Sequence, residues 1–212
     1  MAGFKVHATG GLLAGGLVGL AVLTSGMVSV WQSIYFIFLG MLGGILPDLD
    51  SDTGRPVNVL FFFISSLIVL SIVITLRVSV NSFRTIIVSC AVAYIMCFVL
   101  FSVFKKFTRH RGVMHSIPFA VFVGALIALA NLPQGRTISL FSGVSAFIGA
   151  MSHLLLDELN SIGFRYGVVP CLKKSFGSAL KLTGGSIRGT IVIYSITATT
   201  LSIYIIAVSL FK

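Results

Sequence analysis

The sequence has few residues that carry charge or bind metal ions. Charged side chains make up 9% of its 212 residues, and it contains five acidic residues, four histidines and three cysteines. The cysteines, at positions 90, 97 and 171, form no CxxC pair, which excludes a zinc site built from thiolates. Cys90 and Cys97 lie within an apolar run, where cysteine behaves as a small apolar residue, so a disulfide framework is not expected.

Apolar residues, in contrast, make up 57% of the chain and form long continuous runs. About 18 such residues can cross the roughly 30 Å hydrocarbon core of a membrane as a helix. Because the runs are continuous rather than alternating, they indicate helices and not the strands of a barrel. The sequence predicts an all-α, polytopic transmembrane helical bundle, one membrane-embedded domain over residues 1–212, with about seven spans: 8–24, 30–46, 57–76, 85–104, 117–132, 138–156 and 190–211.

Glycines recur every four residues on the first two predicted spans. They are Gly11, Gly15 and Gly19 on the first span, and Gly40 and Gly44 on the second. Small faces of this kind allow helix backbones to approach closely in lipid, although generic packing would explain them as well. The first run also resembles a signal peptide, but it is rich in glycine and lacks an A-x-A cleavage site, so we expect it to be retained as a span.

The formal net charge is +10, and the basic residues lie between the predicted spans. Membrane orientation and anionic headgroups explain this charge better than nucleic-acid binding does. Eleven of the Lys and Arg residues fall on one side of the seven-span arrangement, and four fall on the other: Arg77, Arg84, Arg136 and Lys212. The positive-inside rule therefore predicts that the first side, with the N-terminus, is cytoplasmic.

All histidines and acidic residues lie at span ends on that same side. Ionisable residues inside a membrane span are costly, and by default they indicate a functional site. We therefore predict that these residues build one site. They fall in four stretches: His7; Asp48, Asp50 and Asp52; His110 and His115; and His153, Asp157 and Glu158.

Two of the stretches have spacings that suit a cation. His153 and Asp157 are four residues apart, which places them on one helix face, either as two ligands of one ion or as a hydrogen-bonded pair without metal. Asp48 and Asp50 follow the helix-ending Pro47, and two adjacent carboxylates repel unless a cation lies between them. Asp50 or Asp52 could instead cap a turn. Glu158 points elsewhere on the helix and is expected to be exposed or to support the ligands indirectly.

The stretch HRGVMHS at 110–116 is the most specific of the four. His110 and His115 bracket a glycine that allows a tight turn. Arg109 and Arg111 flank the first histidine, and arginine pairs its donors with phosphate oxygens. The alternative is a basic cytoplasmic loop with incidental histidines. His7 by itself would be an ordinary interfacial residue and gains meaning only from the other stretches.

These stretches together resemble a family of bacterial inner-membrane metal-dependent hydrolases, some of them under LexA control. The resemblance rests on His7 before a glycine-rich span, LPDLD at 46–50, HRGVMHS at 110–116 and HLLLDELNSIG at 153–163, and it covers about residues 7–170. The chain departs from the family at Met114 and Asn160, where threonine is common, and in an altered stretch around 166–170. The family is distantly similar to zinc-dependent phospholipase C, in which a His-x-x-x-Asp pair helps to hold a metal cluster, and this implies phosphoester chemistry.

The candidate metal ligands are mixed nitrogen and oxygen donors. Such donors fit zinc, with manganese or iron as alternatives. There are too many of them for one tetrahedral zinc, and they suit two ions with a bridging aspartate. The candidates are His7, Asp48, Asp50, His110, His115, His153 and Asp157.

The expected reaction is hydrolysis of a phosphoester in a lipid or lipid-linked substrate at the cytoplasmic face of the bacterial inner membrane. Asp50 would accept a proton from the attacking water, and Arg109 or Arg111 would hold the substrate anion. The basic stretch from Arg165 to Arg188 either lies along the anionic leaflet or is a plain loop. The sequence indicates membrane lipid as a partner and no nucleic acid, and it gives no oligomeric state.

Two other functions remain open from the sequence. An ion or metal transporter would use the same carboxylates and histidines as a path. Such a path needs polar groups through the depth of the membrane, and almost none are expected in the half opposite the four stretches. A membrane scaffold with a purely structural metal site is the other alternative.

Overall fold

A computed structural model of the chain describes residues 3–50, 113–165, 169–172, 177 and 180–210, with isolated positions at 88, 91, 92, 94, 95 and 99. The chain divides into two units, one formed by Met1–Asp48 with Arg111–Lys212 and the other by Leu49–His110. The helices, the hairpin and the candidate site described below belong to the first unit.

Five described helices are long and apolar enough to cross a membrane when short 3-10 turns at two of their ends are included. They agree with the first, second, fifth, sixth and seventh predicted spans. The predicted spans 57–76 and 85–104 lie outside the described residues, except for the six isolated positions, which are helical. The count of seven spans therefore stays a prediction. The helices are α1 (Phe4–Thr24), α2 (Val30–Ile45), α3 (Ile117–Asn131), α4 (Arg136–Leu159) and α5 (Ile187–Leu210).

Local sequence explains where α2 begins and ends and where α3 begins. Ser29 and Gln32 form a reciprocal capping box at the start of α2, which satisfies two backbone N–H groups. Helix α2 gives way to a 3-10 helix, Leu46–Asp50, that contains Pro47. Proline has no N–H to donate to the preceding turn, so the α-helix ends there. Pro118 lies in the first turn of α3, where a missing N–H costs nothing.

Glycines bring α1 and α2 into backbone contact, as their spacing predicts. A Cβ atom added to Gly15 would lie 2.9 Å from the Cα of Gly40, and one added to Gly44 would lie 2.9 Å from the Cα of Gly11. Helix α4 joins the same seam, because a Cβ on Gly149 would overlap the carbonyl oxygen of Gly40. Without hydrophobic driving force between helices in lipid, such close van der Waals packing holds them together.

Helix α5 lies at the edge of this unit. Its buried residues are Ile193 and Thr197, and Ile193 joins an apolar cluster with Phe119, Val123 and Ala146. The Thr197 hydroxyl lies 3.2 Å from the carbonyl oxygen of Pro118 in α3. Most of its other large side chains are exposed, as is expected of a helix surrounded by lipid tails.

A small hairpin accompanies the helical bundle. Strand β1 (Ile162–Arg165) pairs antiparallel with β2 (Val169–Leu172), with Gly163 opposite Cys171. It follows α4 directly, in the connection that the sequence analysis assigned to a basic stretch. The membrane-spanning part of the described chain is helical, and the strands lie outside it.

Candidate metal centre

Four segments distant in sequence bring five of the predicted ligands together. His7 lies in the first turns of α1, Asp48 in the 3-10 helix after α2, and His115 just before α3. His153 and Asp157 lie in the last turns of α4. All five side chains are buried: His7 and His153 are fully inaccessible, and Asp48, the most accessible, is 9% exposed.

The two carboxylates lie between the three imidazoles. The Nε2 atom of His7 is 3.3 Å from Oδ1 of Asp157, and Nε2 of His153 is 3.6 Å from Oδ1 of Asp48. The Nε2 atom of His115 lies 3.8 Å from Oδ2 of Asp157 and 4.0 Å from Oδ1 of Asp48. All three imidazoles therefore present Nε2 to the same small volume.

The ring of His7 stacks on that of His153, with centroids 3.7 Å apart and planes inclined by 19°. His115 meets His153 edge-on, at 5.4 Å and 70°. The stacking depends on the close approach of α1, α2 and α4 at the glycine seam described above.

A backbone contact orients His153. Its Nδ1 atom lies 2.7 Å from the carbonyl oxygen of Gly44, so Nδ1 carries the proton and donates to that carbonyl. The lone pair of a neutral imidazole then lies on Nε2, which faces Asp48. Metal-bound histidines are commonly oriented in this way by a carbonyl on the second nitrogen. The alternative of a His153–Asp157 hydrogen bond does not hold, because Nε2 has no hydrogen bond with any described residue.

The site fits a divalent cation. Both ring nitrogens of His7 and Nε2 of His153 are buried without a hydrogen bond among the described residues. A buried polar atom left unpaired costs about 1–3 kcal/mol, which a bound cation would offset. Two sets of three ligand atoms lie within 4.8 Å of one another, namely those of His7, Asp48 and His153 and those of His115, His153 and Asp157. Nitrogen and oxygen donors in such sets suit zinc, manganese or iron.

The side chains of the remaining predicted site residues are not described by the structure. Asp50 ends the 3-10 helix Leu46–Asp50, but its side chain is not among the described ones. Arg109, His110 and Arg111 lie outside the described residues. Their assigned roles, and that of Asp50, stay predictions.

Residues beside His115 hold it in place. Ser116 is fully buried, and its hydroxyl donates to the carbonyl of Val113 over 2.6 Å. The N–H of Ile117 donates to the carbonyl of Lys181 over 3.0 Å. The segment before α5 therefore supports the start of α3. Met114, where the chain departs from the family pattern, packs against the apolar cluster that contains Phe119.

Glu158 is buried, which was not predicted from the sequence. It is 9% exposed, and its carboxylate accepts a hydrogen bond from the N–H of Gly177. The adjacent Asp157 faces His7. Glu158 therefore connects the end of α4 to the chain after the hairpin. The only indication in the sequence was that consecutive residues of a helix point about 100° apart, so Glu158 could not share the direction of Asp157.

Buried polar residues also occupy the opposite half of the helices, where almost none were expected. The hydroxyl of Ser139 donates to the carbonyl of Ala128 over 2.7 Å, and the hydroxyl of Ser145 donates to the carbonyl of Phe36. The hydroxyl of Ser142 is buried without a hydrogen bond among the described residues. Serine is small and uncharged, so helix faces can bury it where a charged residue would be costly.

Among known proteins, the chain matches a family model but no individual curated protein or solved structure. A family model described as YdjM inner membrane protein matches residues 1–211. Together with the apolar helices, this match identifies a multi-pass protein of the inner membrane. The chain belongs to the YdjM inner membrane protein family.

Proposed function

We propose that this protein is a membrane-bound, metal-dependent hydrolase that acts on a phosphoester of a lipid or lipid-linked substrate. One observation carries the proposal: three imidazoles and two carboxylates from four segments converge in a buried site that leaves imidazole nitrogens unpaired. Ionisable side chains gathered inside a membrane protein are expensive, and their convergence is best explained by bound cations that take part in function.

His7, Asp48, His115, His153 and Asp157 would hold the metal, with His110 and Asp50 as further candidates. Zinc is the expected ion, in a centre of two ions, and manganese or iron are alternatives. The two oxygens of Asp157 face different histidines, His7 and His115, so this one carboxylate would serve both parts of the ligand set. The bound metal would act as a Lewis acid that activates water for attack on phosphorus.

The chain's own residues would complete the reaction. As the oxygen of water bonds to phosphorus, the P–O bond to the alcohol part of the substrate would break; Asp50 would accept the proton of the water and return it to the leaving oxygen. Arg109 or Arg111 would hold the phosphate oxygens through paired N–H donors and offset the charge that develops in the transition state. The five described ligands are buried, where the local dielectric constant is lower than that of water, so electrostatic interactions with a substrate at these ligands would be stronger than in solution.

The depth of the site favours a lipid substrate. His153 lies six residues before the last residue of α4, which places it about 9 Å inside the helix end at 1.5 Å per residue. In the predicted arrangement of seven spans with a cytoplasmic N-terminus, this end of α4 would lie at the depth of the inner-leaflet headgroups. A phosphoester of a membrane lipid, or of a lipid-linked intermediate, would reach this depth without leaving the bilayer.

Hydrolysis assays with purified protein test this proposal. The protein, stripped of metal and reloaded with zinc or manganese, should release phosphate or a headgroup from mixed lipid vesicles, and chelation should stop the release. His153→Ala and Asp48→Ala should each lower the rate by about 100-fold or more, because each removes a metal ligand. Tyr35→Phe, which removes a hydroxyl bonded to Asn131 far from the cluster, is the matched control and should keep the rate. A reloaded protein that binds zinc and hydrolyses no phospholipid or lipid-linked phosphoester would contradict the proposal.

One observation favours a second function, the passage of ions or metal. The hydroxyls of Ser139, Ser142 and Ser145 continue along α4 from His153 into the opposite half, and all three are fully buried. In vesicles, a transporter would carry zinc or protons at a rate that Ser142→Ala changes, with no hydrolysis. A scaffold with a structural metal would bind zinc and show neither activity.

A further inference from the structure

Gly44 contacts two of the candidate ligands and immediately precedes the turn that carries a third. Its carbonyl oxygen accepts the Nδ1 hydrogen of His153 over 2.7 Å. A Cβ atom on Gly44 would lie 2.7 Å from the carbonyl oxygen of His7, which shows how closely the backbone of His7 passes. Asp48 follows four residues later, at the 3-10 helix after α2. His7, Asp48 and His153 are one of the two sets of potential ligands.

The carbonyl of Gly44 decides which nitrogen of His153 is free. A neutral imidazole carries one N–H, and donation from Nδ1 leaves the lone pair on Nε2. Nε2 is the atom that faces Asp48, at 3.6 Å. Pro47, three residues after Gly44, has no N–H with which to close a 3-10 bond to this carbonyl. The end of α2 therefore presents a carbonyl to which a side chain from another helix can donate.

The absence of a side chain on Gly44 sets the distance between the rings of His7 and His153. Contact between Gly44 and the backbone at Gly11 allows α1 to lie against α2, and this brings the ring of His7 to 3.7 Å from that of His153. A methyl group at position 44 would move α1 outward. The His7 imidazole would then leave the volume that it shares with Nε2 of His153.

We propose that Gly44 is a positioning residue for the candidate metal centre, through its carbonyl on His153 and its lack of a side chain beside His7. This inference rests on the proposed metal-dependent function, but its geometric part does not require metal. Gly44 differs in this from the other seam glycines. Gly40, one turn earlier on α2, is packed as tightly as Gly44, since a Cβ there would lie 2.7 Å from the carbonyl oxygen of Gly11. Among the described hydrogen bonds, however, the Gly40 carbonyl accepts none from a histidine ring, whereas the Gly44 carbonyl accepts one from His153.

The test compares Gly44→Ala with Gly40→Ala in full-length protein in detergent. Both variants should unfold at a lower temperature, because both place a methyl group in the seam. Gly44→Ala should weaken zinc binding by about 10- to 100-fold, which is the range for lost support of a ligating histidine, and by clearly more than Gly40→Ala, which loosens the seam but leaves the carbonyl on His153 in place. Gly16→Ala on α1, where an added Cβ has nothing within 4 Å, should change neither property.

A second measurement uses the metal-free wild-type protein. Nitrogen NMR of labelled histidine should show one ring with its proton fixed on Nδ1, and that signal should be lost in His153→Gln, which identifies it. The same tautomer should be depleted in Gly44→Ala, because the added methyl group pushes the backbone that carries the accepting carbonyl away from its place, and it should be kept in Gly40→Ala. This readout separates positioning from packing, since a general loosening of the helices would affect both variants alike.

The possible outcomes are distinct. Equal loss of zinc affinity in Gly44→Ala and Gly40→Ala, or an Nε2-protonated His153 in wild type, would overturn the positioning role and leave a metal-dependent hydrolase intact. If the wild type binds neither zinc nor cobalt, the proposed function fails, while the tautomer still decides whether Gly44 orients His153. If Gly44→Ala does not fold, the wild-type tautomer alone decides: Nδ1 protonation supports the role and Nε2 protonation refutes it.

Discussion

Asp157 contacts two imidazoles through its two oxygens, His7 through Oδ1 and His115 through Oδ2. The histidines come from α1 and from the segment before α3, so one carboxylate joins three separate parts of the chain. Glu158, the next residue, is buried to a similar degree but accepts a hydrogen bond from a backbone N–H instead. Two neighbouring acids on α4 therefore have different roles.

The first prediction follows from this difference. Asp157→Asn should reduce bound zinc by at least half, because the amide keeps the shape of the side chain but removes the charge and one acceptor oxygen. Glu158→Gln should keep the zinc content of the wild type. Elemental analysis of both purified variants, after saturation with zinc and removal of excess metal, checks the prediction. Equal zinc contents in the two variants would show that Asp157 is not a ligand.

Helix faces could be predicted from the sequence, but the long-range partners of single residues could not. The spacing of His153 and Asp157 correctly placed both on one side of α4, since a helix repeats every 3.6 residues. It could not show that His153 donates to Gly44, because that partner is 109 residues away in sequence. Glu158 looked peripheral for the same reason, since its partner, Gly177, belongs to a later segment.

At the scale of helices, the seam of α1, α2 and α4 is the feature on which the site depends. Glycines face glycines across α1 and α2, and Gly149 of α4 lies against the carbonyl of Gly40. The four-residue spacing of the glycines predicted a close contact on one face of each helix. The spacing did not predict which helix would pack against this pair. Helix α4 does so through Gly149 and Ala146, which form no repeated pattern in the sequence.

Neighbouring glycines on α1 provide the second prediction. A Cβ on Gly15 would lie 2.8 Å from the carbonyl oxygen of Phe36, whereas one on Gly16 would have nothing within 4 Å. Gly15→Ala should therefore destabilise the protein by about 1–3 kcal/mol through overpacking. Gly16→Ala should be neutral or slightly stabilising, because alanine has the higher helix propensity. Unfolding in detergent, followed by circular dichroism, measures both, and equal stability of the two variants would count against the seam.

The third prediction concerns the start of α2. Ser29 accepts a hydrogen bond from the N–H of Gln32, whose side chain accepts one from the N–H of Ser29. Ser29→Ala should cost about 1 kcal/mol, because it leaves a backbone donor of the first turn unpaired. Its zinc content should not change, since the cap lies at the opposite end of α2 from Asp48. Unfolding and elemental analysis test the two statements separately.

At the scale of the whole molecule, a metal ion would connect segments that are distant in the sequence. Four segments supply the five described candidate ligands, and each belongs to a different helix or to the turn beside one. An ion that binds only the folded arrangement stabilises it by mass action. Loss of the ion would leave three imidazoles and two carboxylates buried together, which is unfavourable.

The fourth prediction is therefore that chelation lowers the unfolding temperature and that zinc restores it. Free zinc at 100 times its dissociation constant should add about 2.7 kcal/mol to stability. His153→Ala should lose this response, while Tyr35→Phe should keep it. A thermal-shift series across zinc concentrations, run in the same detergent, gives the measurement, and an unfolding temperature independent of zinc in the wild type would contradict it.

The fifth prediction concerns orientation. Thr137, near the start of α4, and Thr183, four residues before α5, are both exposed. Thr183 follows Lys181, whose carbonyl binds the start of α3, so it lies on the side of the candidate site, opposite to Thr137. In a chain whose three cysteines are replaced by serine, Thr137→Cys should react with a membrane-impermeant maleimide in spheroplasts. Thr183→Cys should react only after permeabilisation, because the positive-inside rule places that end in the cytoplasm. The reverse pattern would invert the topology and place the candidate site outside.

The sequence by itself determined the class of the protein and the positions of five membrane-spanning helices, because the length of an apolar run is fixed by the thickness of the bilayer. It also placed the five candidate ligands whose side chains are described at or beside the ends of these helices. The tertiary structure alone decided which of these side chains meet, which nitrogen of His153 is left free, and that Glu158 and the serines of α4 are buried. These features depend on how helices rotate and how closely they approach, and contacts between residues distant in sequence set both.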